Sequence, residues 1–201
     1  MTDPSRLQLE LSSGLRFETV RQGDRYRQSI APSPDTPDHR RLRSLEGDDR
    51  DRWPPTPPLQ QLTRETRGNS TVLLGVGMAG RSHWSVSILA DGNRLLFDAA
   101  CRVRGEPGFL GSTFELPSDV KLSPELSPGE ELPPGEHPPT WRLVWPEAVV
   151  RLELGTGARL ERSSTPNSER FAVVPNRWDA TACWSYSFSG PVRPGEPLHR
   201  G

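Results

Sequence analysis

Lysine is almost missing from this chain: Lys121 is the only one among 25 basic residues, and the others are arginine. We read that bias as coding composition more than as selected arginine chemistry. Cysteine is as scarce. Two residues, Cys101 and Cys183, exclude a disulfide-stapled scaffold and a Cys-x-x-Cys metal site. Long apolar runs are absent, since no stretch of about 18 apolar residues suggests a membrane span. The opening Met1-Thr2-Asp3-Pro4-Ser5-Arg6 also lacks the apolar core of a signal peptide. The expectation is a soluble, cytoplasmic protein. Excess charge of one sign is lacking too: the formal net charge is −1. Nothing general therefore attracts nucleic acid or an anionic membrane, and neither is expected as a partner. Hydrophobic residues make up only 32% of the chain, below the usual figure of about 45–50%, so any core must be small and rely on large side chains.

What the sequence has instead is 22 prolines and 18 glycines, and they cluster. Residues 31–58 lose all periodicity: Pro32, Pro34 and Pro37 lead into a charged run, and Pro54, Pro55, Pro57 and Pro58 close it. Residues 117–139 repeat Ser-Pro, Pro-Gly-Glu and Pro-Pro steps. Such segments bury little and are expected as flexible excursions. His39, Arg40, Arg41 and Arg43 are followed directly by Glu46, Asp48, Asp49 and Asp51, so that stretch reads as a solvated polyampholyte and not as a nucleic-acid patch. The proline-rich repeats could serve as a ligand for an aromatic groove, but acidic residues among them favour a semi-rigid loop.

Between these segments the period is two. Residues 70–103 read as three antiparallel strands. Trp84, Val86 and Ile88 alternate with His83, Ser85 and Ser87, and the turn at Asp91-Gly92-Asn93 leads to a strand with Phe97, Ala99 and Cys101 on one side. The same stretch holds Gly75, Gly77 and Gly80, a literal G-x-G-x-x-G. Its dinucleotide chemistry requires a helix after the last glycine. Strand periodicity follows instead, so the glycines are read as places where positive φ or close backbone approach excludes side chains, and no cofactor is expected. Leu7, Leu9, Leu11, Leu15 and Phe17 mark an earlier meander, and Trp141, Leu143, Val150, Leu152 and Phe171 mark later strands. Ala180, Ala182, Trp184, Tyr186 and Phe188 form the clearest single face of all.

About ten to twelve short strands and no helical spacing predict an all-β fold. We expect an antiparallel sandwich or barrel-like single domain over residues 1–190, with the excursions at 31–58 and 117–139 and a disordered tail at 191–201. Candidate chemistry is thin. Of four histidines only His83 falls in an ordered run; it could act as a base, with Asp98 orienting it and Ser85 or Ser87 as nucleophile. An antiparallel register around Asp91-Gly92-Asn93 places Asp98 nearest Ser87 or its neighbours and His83 nearest Arg102 or Val103, about 13 Å apart along the strand. No Gly-x-Ser-x-Gly or His-Glu-x-x-His motif supports hydrolysis. No metal site is expected, because Cys101, Cys183 and His83 are scattered. Trp84, Trp184 and Tyr186 could line an apolar pocket, although core packing explains them more simply. The leading expectation is a non-catalytic binding or interaction module for an undefined protein or small molecule. A hydrolase-like enzyme with a polar site around His83 stands second.

Overall fold

The computed structural model describes residues 5–68, 70–126, 138–166 and 168–193. Its strands, in chain order, are β1 (Arg6–Glu10), β2 (Arg16–Gln22), β3 (Arg25–Ala31), β4 (Leu42–Ser44), β5 (Gln61–Arg67), β6 (Ser70–Ala79), β7 (Ser82–Asp91), β8 (Arg94–Arg102), β9 (Ser112–Leu116), β10 (Lys121–Pro124), β11 (Thr140–Val144), β12 (Val149–Leu154), β13 (Ala158–Thr165), β14 (Ser168–Pro175) and β15 (Thr181–Val192). They form two sheets in which neighbouring strands run antiparallel. One has seven strands in the order β1-β2-β3-β4-β9-β14-β13, the other eight in the order β10-β11-β12-β15-β8-β7-β6-β5. The fold is therefore a β-sandwich, with open sheet edges and no barrel closure.

The hairpins follow from glycine placement. Gln22 pairs with Arg25, Ala79 with Ser82 and Asp91 with Arg94, so each loop has two residues beginning with Gly23, Gly80 or Gly92. These glycines have φ of 65°, 58° and 55°, the left-handed conformation that a type II′ hairpin needs at its first position. The last strand joins two meanders: β15 inserts between β12 and β8. Its inner face carries Ala182, Trp184, Tyr186 and Phe188, all buried. There Tyr186 stacks on Phe97 at 4.8 Å, and Phe114 of the facing sheet meets both Tyr186 and Phe188 edge-on. Phe17 reaches Phe97 from the same side. Each fully buried ring of this kind contributes about 1.5–3 kcal/mol, which is how a chain poor in aliphatic residues holds two sheets together.

The excursion expected over 31–58 is more ordered than its composition suggests. It contains β4 and a single 3-10 turn at Asp38–Arg40, and Leu42 and Thr56 are 0% exposed, as is Leu59 just after it, where the chain is expected to return to the core. Its last part is a strap between the sheets. The carbonyls of Pro55 and Leu59 accept from Thr113 and Tyr26 of the seven-stranded sheet, while Gln60 N donates to Val76 O of the other. The strap explains two of the three glycines in β6 and its turn. A Cβ on Gly77 would lie 1.6 Å from Pro58 O, and one on Gly75 would lie 2.8 Å from Leu59. No helix follows Gly80, so the G-x-G-x-x-G stretch lies in a strand and a hairpin. The charged residues also find partners within the chain. Arg40 pairs with Asp119 and Glu147, Arg41 with Glu18 and Arg43 with Asp38.

Of the second excursion, residues 121–124 form β10, while 127–137 lie outside the described residues. The expected tail at 191–201 begins inside β15, which runs to Val192, and 194–201 again lie outside them. The count of fifteen among the described residues exceeds the expected ten to twelve because β4 and β10 hide in proline-rich or charged sequence and β5 in a run of polar and charged residues. Among the described residues, no helix is long and apolar enough to cross a membrane.

Candidate functional site

The outer face of the eight-stranded sheet is where the described residues leave apolar and polar groups open together. Strand period puts Leu74, Val76 and Met78 of β6 on that face, and they are 37%, 47% and 48% exposed. Register sets their neighbours. Met78 is followed across the sheet by His83, Arg102 and Thr181; Val76 by Ser85, Ala100 and Cys183; Leu74 by Ser87, Asp98 and Ser185. Side-chain size does the rest. The middle strands β7 and β8 present serine and alanine, β6 presents long apolar chains, and Thr156 joins the far side from the turn after β12. The result is a groove of two adjoining depressions, about 560 and 590 Å³, that share Val76, Ser85 and Ala100. From β6 to β15 it spans about 14 Å, three interstrand spacings.

The electrostatics of the groove are polarised. His83 and Arg102 sit at one end, Asp98 at the other, and none of the three makes a hydrogen bond or ion pair among the described residues. Cys183 opens into the groove as an exposed free thiol. Cys101, on the next strand and the opposite face, is buried, and desolvation pushes its thiol up to about 12.

The sequence candidates divide between the two faces of this sheet. His83, Ser85 and Asp98 share the outer face, and Ser87 lies directly opposite Asp98. His83 pairs instead with Arg102, four positions from Asp98 along β8, or about 13 Å. No base–orienter hydrogen bond is formed. Trp84, Trp184 and Tyr186 point inward, with 2%, 2% and 4% exposure. Trp84 and Trp184 meet edge-on at 6.1 Å, and Trp184 Nε1 donates to Ser112 Oγ at 3.1 Å. Burial holds the Tyr186 hydroxyl well above its ordinary range. These aromatics are the core beneath the groove, unreachable without parting the sheets. Sequence reasoning missed Leu74, Val76 and Met78. The signal was present as an apolar alternation through the glycines, but both phases of β6 are apolar or small, so period alone does not say which faces water.

Among the described residues no three His, Cys, Asp or Glu side chains gather where they could hold a metal ion. The chain matches no family model, and comparison with curated proteins finds no similar sequence.

Proposed function

We propose that the protein is a non-catalytic binding module that takes an elongated small molecule, apolar along its body and anionic at one end, in this groove. The observation that carries the reading is the row of exposed Leu74, Val76 and Met78 beside a floor of small residues. Each of its two depressions, about 560 and 590 Å³, falls within the range of about 300–1,000 Å³ typical of small-molecule sites. The uncompensated Arg102, with His83, suits an acidic end group. Two other occupants fit less well. Three apolar side chains are far short of the roughly 800 Å² per partner that a stable dimer buries. Strand addition is discouraged because β5 carries Arg64 and Glu65 at its edge, β13 carries Arg159, Glu161 and Arg162, and β10 ends in Pro124.

The test uses 1-anilinonaphthalene-8-sulfonate, an apolar body bearing one sulfonate. The expected result is saturable one-site fluorescence that is lost in Val76→Lys, together with slower alkylation of Cys183 by iodoacetamide when the probe is bound. Equal binding to Val76→Lys, or an unchanged alkylation rate, would overturn the reading. Turnover on an ester and phosphoester panel that disappears in His83→Ala would replace it with the hydrolase.

A further inference from the structure

The outer face of the seven-stranded sheet carries a second groove of about 490 Å³, of opposite character. Four arginines present their side chains to it, Arg6, Arg27, Arg41 and Arg43, against two carboxylates, Glu18 and Asp38. That local excess of positive charge stands out in a chain whose net charge is −1. Strand register builds it: Arg6 of β1 and Arg27 of β3 flank Val20 of β2 in one row, and Glu18, Ser29 and Arg43 form the next. Arg6 and Arg27 thus stand two interstrand spacings apart, about 10 Å at the backbone, with Val20 between them, 42% exposed, as the floor.

Most of these cations are already committed. Glu18, only 3% exposed, uses one oxygen for Arg6 and Gln8 and the other for Arg41. Arg43 holds both the side chain and the carbonyl of Asp38. Arg27 is the exception. Half-buried, it makes no hydrogen bond or ion pair among the described residues, and its Nε is closed to solvent without a partner. The carboxylate of Glu46 acts on it only through space, without a hydrogen bond: one of its oxygens takes the Ser44 hydroxyl and the other has no hydrogen-bond partner. A guanidinium N–H closed off from water without an acceptor is costly, and an oxyanion meets the planar donors two at a time.

We propose that this groove binds a small organic phosphate, with the phosphoryl group on Arg27 between Arg6 and Arg43 and the organic part over Val20. Glu18 is a positioning residue, fixing the heads of Arg6 and Arg41 so that the site is arranged before the ligand arrives. The groove is larger than a lone phosphate fills, which favours a phosphomonoester over the inorganic ion.

Calorimetric titration of the full chain with phenyl phosphate, inorganic phosphate and phenol tests this. Phenyl phosphate should bind saturably and more tightly than inorganic phosphate, and phenol should not bind. Loss of the charge-assisted contacts in Arg27→Met should weaken phenyl phosphate at least about tenfold. Val20→Glu places a carboxylate among the arginines and should also abolish binding while raising the melting temperature of the unliganded protein. It therefore remains informative if Arg27→Met fails to fold. Val76→Lys, in the opposite groove, should bind as the wild type does, which separates this site from the one proposed above. No binding, equal binding by Arg27→Met, or loss only in Val76→Lys would overturn the proposal.

Discussion

The two outer faces of the sandwich treat their polar groups in opposite ways. On the seven-stranded sheet, charged side chains are tied to one another, so Glu18 can be almost wholly withdrawn from water because arginines engage both its oxygens. At the β6–β8 end of the eight-stranded sheet, His83 and Arg102 share one row and Asp98 stands in another, and none of the three has a partner among the described residues, whereas Arg94 and Arg151 elsewhere on that sheet pair with Glu153 and Glu125. The first face ties its charges together around Glu18 and leaves Arg27 over; the groove on the second leaves its three charged or titratable groups and its apolar row open. Substitutions of the tied charges should therefore act on stability, and substitutions of the open groups, Arg27 included, on ligand capture.

The largest effect expected is that of Glu18→Ala. Removing the carboxylate strands Arg41, whose side chain is 13% exposed, beside the more exposed Arg6. Breaking such a pair from one side costs about 3–4 kcal/mol. Asp98→Ala, with no partner to strand, should stay within about 0.5 kcal/mol. Urea unfolding of the two variants side by side would break the contrast if their losses came out alike.

A second buried carboxylate sharpens it. Glu46 lies at the inner side of the same region, with Ser44 on one oxygen and nothing on the other. Burial raises its carboxyl from an ordinary 4.5 to about 7, against the pull of Ser44, Gln28, Arg25 and Arg27. The folded state thus holds this proton more tightly than the unfolded chain does. Its contribution to stability is complete below pH 4.5 and is lost as pH rises through about 7, a change of about 3 kcal/mol for this group. Glu46→Gln, neutral throughout, should lack that slope. Urea midpoints measured from pH 5 to pH 8 should fall for the wild type and run flatter for the variant; parallel curves would show that Glu46 is ionised in the fold.

The architecture was legible wherever one phase of a strand is apolar and the other polar. β7, β8 and β15 have that pattern, and the Asp91-Gly92-Asn93 turn brings Asp98 to Ser87 and His83 to Arg102 within one position, while the end of β15 lies beyond the expected start of the tail at 191. Legibility failed where burial is achieved without periodicity. Leu59 was legible as the point where the chain returns to the core, but Pro54 to Gln60 forms a strap whose backbone hydrogen bonds reach both sheets, and its composition does not announce that. The arginine groove was obscured for a related reason. Arg6, Arg27 and Arg43 come from three strands and meet only through register, whereas the local run His39 to Arg43 drew attention as a linear cluster. The polar residues of the β6–β15 groove were visible singly, but not the size contrast between β6 and its neighbours that makes the groove.

The smallest effect expected separates the two faces of a single pair of strands. β8 and β15 are in register, with Cys101 opposite Ala182 and Ala100 opposite Cys183. The two cysteines therefore occupy adjoining cross-strand positions but face opposite ways, one into the core and one into the groove. A disulfide between them would require one side chain to pass through the sheet, so both remain thiols. Serine at position 101 buries a hydroxyl among Trp84, Phe97 and their neighbours, and Cys101→Ser should cost about 2 kcal/mol. Cys183→Ser keeps the same size in a solvent-open position and should change stability by less than about 0.5 kcal/mol. Reactivity follows the same division. Thiol reagents attack the thiolate, and the Cys101 thiol is both enclosed and raised to about 12, so native protein should take up one equivalent of Ellman's reagent quickly and the second only on unfolding. Two fast equivalents would mean that β15 parts from β8 readily. In that case the aromatic layer of Trp184 and Tyr186 beneath the groove would be open to ligand, and the contrast between a closed core and an open outer face would no longer hold.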